Sequence, residues 1–123
     1  MKATGLLAMF SLSSLLSGCA SYQAGGYIQS GVQALLAGNN QTALSYLQAA
    51  AQQDPSYIYD VQLNLGVLSY LGRAQYLTGS YPQARQTLEK ALAQNTDDNL
   101  ARLYLGLTQA RLGDNQAALQ NIE

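Results

Sequence analysis

The chain has 123 residues, of which 48% are hydrophobic and only 11% charged, with a formal net charge of −1, one Cys and no His. The lack of His removes the commonest metal ligand and every nucleophile–His pair, and a single Cys excludes an intramolecular disulfide. Six basic residues stand against seven acidic ones, a balance that does not suggest nucleic-acid binding, which usually shows a clustered basic surface.

At the N-terminus, Lys2 precedes an apolar run at residues 6–16. As a helix those 11 residues rise about 16 Å, roughly half of a bilayer's hydrocarbon core, so a secretory signal fits better than a membrane span. The run closes on Leu16-Ser17-Gly18-Cys19, which resembles a bacterial lipobox. The resemblance implies recognition through Leu16, Ser17 and Gly18, covalent lipid on Cys19, and removal of residues 1–18 as a lipoprotein signal peptide. With each buried methylene contributing roughly 0.8 kcal/mol, two or three acyl chains hold such a chain on a membrane. Residue 20 is Ala, not the Asp that marks inner-membrane retention in many Gram-negative bacteria, so the location expected in such a host is the periplasmic face of the outer membrane. Residues 19–26 are then a lipidated tether of at most about 25 Å reach, and residues 27–123 the folded domain.

Beyond residue 30, Ala, Leu and Gln dominate and β-branched residues are sparse, which favours an all-α fold. A repeat fixes the architecture more firmly. Tyr70-Leu71-Gly72 returns as Tyr104-Leu105-Gly106, and at the same spacing of 34 residues Gln75, Gly79, Ala84 and Gln86 return as Gln109, Gly113, Ala118 and Gln120. An earlier copy is offset by 41: Gly31, Gly38, Ala43, Leu47 and Ala50 align with Gly72, Gly79, Ala84, Leu88 and Ala91. The extra seven residues fall at 56–64.

These spacings predict antiparallel helix pairs. Gly72 and Gly106 sit in helix interiors, where Gly costs about 0.8–1 kcal/mol relative to Ala, so a neighbouring helix is expected to approach them closely. Gly38, Gly79 and Gly113 read as helix stops, and Ala43, Ala84 and Ala118 as the small residues that let each second helix pack near the first. Pro82 suits a first helical turn, Asp54-Pro55 a break between repeats, and Asp97-Asp98 a helix cap.

With these residues in place the chain resembles the tetratricopeptide-repeat family, solenoids of 34-residue helix pairs used for protein recognition. The Leu71-Gly72 and Leu105-Gly106 pairs, the Gly stops, the Ala positions, Leu47, Leu88 and Pro55 carry the resemblance, which covers residues 27–123. It implies a helical-hairpin solenoid of about two and a half repeats. Ser30-Gly31 replaces Leu-Gly in the first copy, and Thr96 replaces the expected proline after the second.

The seven-residue insertion equals almost two helical turns and predicts one long helix over residues 57–78, overhanging the stack. Tyr57, Ile58, Tyr59 and Val61 on that overhang either meet a partner or cover the N-terminal helices. At the other end, Ala117, Leu119 and Ile122 lack a polar capping helix, which points to oligomerisation, a partner, or a longer parent protein.

No catalytic residues, metal site or cofactor other than the lipid are expected: the carboxylates fall at predicted helix ends, and the glycines follow the repeat instead of forming a phosphate-binding loop. In the family resembled, peptides lie in a concave groove formed by the first helices. By register that groove receives Ile28, Val32, Leu35, Ser69, Arg73, Tyr76, Leu103, Leu107 and Arg111, with the two Arg suited to a carboxylate and Tyr76 to flat contact. The Lys/Asn pattern of chaperone-binding members is missing. The expected function is a non-enzymatic adaptor that is membrane-tethered through its lipid and binds other envelope proteins, supporting pilus, outer-membrane or peptidoglycan machinery. The alternatives are a self-associating structural lipoprotein, the N-terminal fragment of a longer repeat protein, and an accessory subunit of an export or modification enzyme.

Overall fold

A computed structural model describes the backbone from residue 7 and the side chains from residue 22 to Glu123. Residues 1–6 of the expected signal peptide, and the side chains of the lipobox and Cys19, lie outside the described residues. In chain order the elements are α1 (Leu7–Leu36), α2 (Asn40–Gln53), β1 (Ile58–Asp60), β2 (Leu65–Gly66), α3 (Val67–Leu77), α4 (Tyr81–Gln94), α5 (Asn99–Arg111) and α6 (Asn115–Ile122). The helices pack as three successive hairpins, α1 with α2, α3 with α4 and α5 with α6, stacked side by side into the all-α solenoid that the repeat implies.

Each hairpin turns by the same device. Gly38, Gly79 and Gly113 adopt φ of +78°, +82° and +86°, a left-handed region that costs other residues roughly 1–2 kcal/mol. The amide after each glycine closes back on the preceding helix: Asn39 on the Ala34 carbonyl at 2.8 Å, Ser80 on Gln75 at 2.8 Å and Asp114 on Gln109 at 2.9 Å. These bonds satisfy carbonyls that a helix end leaves open. The second helix then starts on a buried small residue, Ala43, Ala84 or Ala118, and Pro82 occupies the first turn of α4 as expected.

Close helix approach is also realised. A Cβ added at Gly31 would lie 2.6 Å from Leu47 Cγ, and one at Gly106 would lie 2.7 Å from Ile122 Cγ1. At Gly72 it would fall inside the isobutyl group of Leu88. Leu47 and Leu88 are fully buried, so each seats in the notch that a missing side chain leaves on the facing helix.

Two expectations are corrected. The insertion forms no overhanging helix: residues 58–66 make an antiparallel hairpin, with Ile58 opposite Gly66, Asp60 opposite Leu65 and an irregularity between them, and α3 begins only at Val67. A seven-residue insertion preserves helical phase, but the residues themselves favour strand and turn. Tyr57, Ile58, Tyr59 and Val61 are β-formers. Asp60 accepts the Leu63 amide at 2.9 Å, Asn64 takes φ +53°, and Gly66 is extended, so the chain reverses within four residues. Second, residues 20–26 do not form an extended tether. They continue α1, rising about 10 Å, and Ala24 is already fully buried.

Tyr57 and Tyr59 pin the hairpin down. Tyr57 accepts the Val67 amide on its carbonyl at 2.9 Å, and the Tyr59 ring meets Tyr70 edge-on at 5.6 Å. Burial, reinforced by the charge of Asp60, raises the Tyr70 phenol above its ordinary pKa of 10.0. The unfolded chain therefore ionises first. Stability from this group is complete below the unfolded pKa and is lost as pH rises through the folded one. Tyr70→Phe is expected to flatten the fall in melting temperature above pH about 10; an unchanged slope would assign the alkaline loss to other groups.

Candidate partner-binding site

The helical register of α3 and α5 decides which side chains can meet between the second and third repeats. On α3, Ser69, Arg73 and Tyr76 recur at i, i+4 and i+7, one face of the helix. On α5, Tyr104 turns toward that face. The Arg73 guanidinium lies 5.7 Å from the centre of the Tyr104 ring. Tyr76 packs between Tyr104, at 5.5 Å, and Tyr81 at the start of α4, at 5.6 Å. Arg111, at the end of α5, lies 6.0 Å over Tyr81. The result is a row of three tyrosines with a guanidinium at each end.

Neither cation is neutralised by a carboxylate among the described residues. Arg73 is half-buried over Tyr104, and its Nε is buried with no hydrogen-bond partner, so a carboxylate can approach this guanidinium only at its terminal nitrogens. The hydroxyl of Tyr76, first, and the neighbouring Tyr81 phenol push the ionisation of Arg111 above its ordinary value, so it stays charged. Such a row offers two forked donors for carboxylate oxygens and flat apolar area between them.

Of the residues expected in the groove, Arg73, Tyr76 and Arg111 come together here. Ser69 does not line an open surface: it is 1% exposed, and its hydroxyl donates to Asp98. Ile28 and Leu35 are buried in the core, with Val32 packed against it. Leu107 is half-buried on α5. Leu103 is exposed but lines two other clefts, one beside Leu63, Leu65 and Leu100, the other beside Arg102, Asn121 and Ile122. Among the former overhang residues, Tyr57 is half-buried, Ile58 and Tyr59 are partly exposed, and Val61 is 80% exposed at the hairpin tip. Tyr81 and Tyr104 were missed from the sequence: Tyr104 belongs to the repeated Tyr-Leu-Gly and reads as a core marker, and Tyr81 reads only as the neighbour of a helix-starting Pro. The hint available was nine Tyr against one Phe and no Trp, an excess of aromatics that keep a polar end.

No helix among the described residues is long and apolar enough to cross a membrane, and none of their His, Cys, Asp and Glu residues group as a metal site. Residues 34–110 match the tetratricopeptide repeat family. The chain belongs to that family, whose repeats are units of protein–protein interaction. No curated protein matches the sequence.

Proposed function

We propose that this protein is a non-enzymatic adaptor, anchored to a bacterial envelope membrane through lipid on Cys19, that holds an acidic segment of another envelope protein across the Arg73–Arg111 row. The observation that carries the binding role is the pairing of two guanidiniums, both without a carboxylate partner among the described residues, on one tyrosine platform. The anchoring rests on the lipobox sequence ending at Cys19. The partner would belong to pilus, outer-membrane or peptidoglycan machinery. Self-association is the second reading, favoured by the exposure of Leu119 and Ile122 on α6.

Crosslinking in a bacterial host tests this. Full-length wild type, Cys19→Ser and Arg73→Glu/Arg111→Glu are recovered with mild crosslinker, and co-purifying proteins are identified by mass spectrometry. The expected result is one partner lost from both variants, while the double Arg variant stays in the membrane fraction. Recovery of the same partner with both Arg reversed to Glu would place recognition elsewhere. Recovery of crosslinked copies of the chain alone would support self-association.

A further inference from the structure

Charge is distributed unevenly along this chain. Between Lys2 and Asp54 there is no Asp, Glu, Lys or Arg, although at the overall 11% a stretch of that length would hold about five. The first helical hairpin, α1 with α2, is therefore wholly uncharged, and every remaining charge lies at or after Asp54, mainly on α3 to α6.

The exposed side of α1 is amphipathic without ions. Tyr22 is 86% exposed, and it shares a cleft of about 440 Å³ with Gly25, Gly26, Gln29, Tyr57 and Tyr59. Three phenols and one carboxamide line this cleft, with no Asp, Glu, Lys or Arg among the lining residues; the one carboxylate nearby in the chain, Asp60, accepts the Leu63 amide within the turn. Beside it, Val61 stands 80% exposed at the tip of the β1–β2 hairpin. Cys19 lies one turn before Tyr22 on the same continuous helix, so the cleft begins about 5 Å along the axis from it and ends about 15 Å away.

We infer that this tyrosine-lined face, formed by the uncharged exposed side of α1 and the adjoining Tyr57 and Tyr59, rests in the headgroup layer of the lipid bilayer. The inference builds on the acylation of Cys19 proposed above. Tyrosine is enriched at the membrane–water boundary because its ring is apolar and its hydroxyl needs a polar partner, both met in the headgroup layer. Neutral carboxamides enter that layer without the desolvation cost of a charged side chain. The face lacks Lys and Arg, so it does not select anionic lipid, and its contact is insensitive to salt, unlike a polybasic patch. An acyl chain on Cys19 confines the domain near the surface, so a weak contact suffices to set its orientation. In that orientation the charged repeats, with Arg73 and Arg111, face water and the partner.

The test uses the full acylated chain, in which Cys19 is blocked and an introduced cysteine is the one free thiol. Gln29→Cys in the cleft and Gln86→Cys on α4 are each spin-labelled and reconstituted into phosphatidylethanolamine vesicles with and without phosphatidylglycerol. Collisions with oxygen and with a water-soluble nickel complex are then compared. The expected result is an oxygen-to-nickel ratio several-fold higher at position 29 than at 86, unchanged by anionic lipid or by high salt. Equal aqueous ratios at both positions, with acylation verified by mass spectrometry, would overturn the inference and hold the domain clear of the bilayer. Spin–spin broadening at position 29 would overturn it as well, assigning the face to a second copy. If mass spectrometry finds no lipid on Cys19, the anchoring is wrong, and Gln29→Cys and Gln86→Cys are each labelled in a Cys19→Ser chain and mixed with excess vesicles directly: a raised ratio at 29 still supports the face, and equal ratios reject it.

Discussion

Gly72→Leu is expected to destabilise the protein by about 3 kcal/mol, lowering its melting temperature by about 12 °C or more. The physical reason is the notch that receives Leu88. A single Cβ at Gly72 already falls within the Leu88 side chain, which is fully buried, and close-packed interiors seldom leave room for a second rotamer. The gain of roughly 0.8 kcal/mol in helix propensity on leaving Gly does not offset that overlap. Gly72→Ala is expected to cost less, about 1–2 kcal/mol, with the same cause.

The sign of the effect depends on Leu88, and this is the stringent part of the prediction. Leu88→Ala alone should cost about 2–5 kcal/mol through the cavity it leaves. Adding Gly72→Ala to Leu88→Ala should then stabilise by up to about 1 kcal/mol, because the new methyl enters open space and only the propensity gain remains. A double variant that is less stable than Leu88→Ala would show that Gly72 is needed for its backbone and not for close packing. Gly106→Leu is expected to be milder than Gly72→Leu. Its opposing side chain, Ile122, is 52% exposed in the last turn of α6 and can move aside, which leaves the Ala118 carbonyl, 3.2 Å from an added Cβ, as the remaining close contact.

The close packing at glycine was legible in the sequence because Gly is costly within a helix, and its recurrence with Leu47 and Leu88 implies a compensating neighbour. The helix stops were legible for the same reason: Gly38, Gly79 and Gly113 end apolar periods at one spacing. The insertion was misread because residue count and residue identity gave opposite answers. Seven residues preserve helical phase, whereas Tyr57, Ile58, Tyr59 and Val61 prefer strand and Asp60, Asn64 and Gly66 prefer turns. Identity prevailed, since local hydrogen bonds such as that from the Leu63 amide to Asp60 close within the segment itself.

The site was legible only in its polar half. Register along α3 and α5 places Arg73, Tyr76 and Arg111 near one groove, because helical spacing determines direction. Tyr81 and Tyr104 depend on how α4 and α5 cross α3, and no spacing within a single helix encodes that angle. Ser69 failed as a groove residue for the same cause: its helix face is right, but α5 brings Asp98 over it.

Asp98 is where stability and the site meet, and Asp98→Ala is expected to be the most damaging change of a carboxylate in this chain. The carboxyl group is 2% exposed. One oxygen accepts the Ala101 amide at 2.8 Å and so caps α5, and the other accepts the Ser69 hydroxyl from α3. Removing it costs about 1 kcal/mol for the cap, and about 1–3 kcal/mol more for the hydroxyl left buried without a partner. Asp114 makes the same capping bond to Ala117 at 3.2 Å, but on the exposed surface. Asp114→Ala should therefore cost only about 0.5–1 kcal/mol, and equal losses at the two positions would show that the bond to Ser69 contributes nothing. Asp98→Asn retains an acceptor for Ala101 and a polar partner for Ser69, and should recover most of the loss. The consequence reaches the proposed binding row, because Arg73 lies one turn beyond Ser69 on α3 while Tyr104 lies on the helix that Asp98 begins. Loosening this joint separates the cation from its ring. At a temperature where Asp98→Ala remains folded, it should weaken capture of the partner, and Asp114→Ala should not.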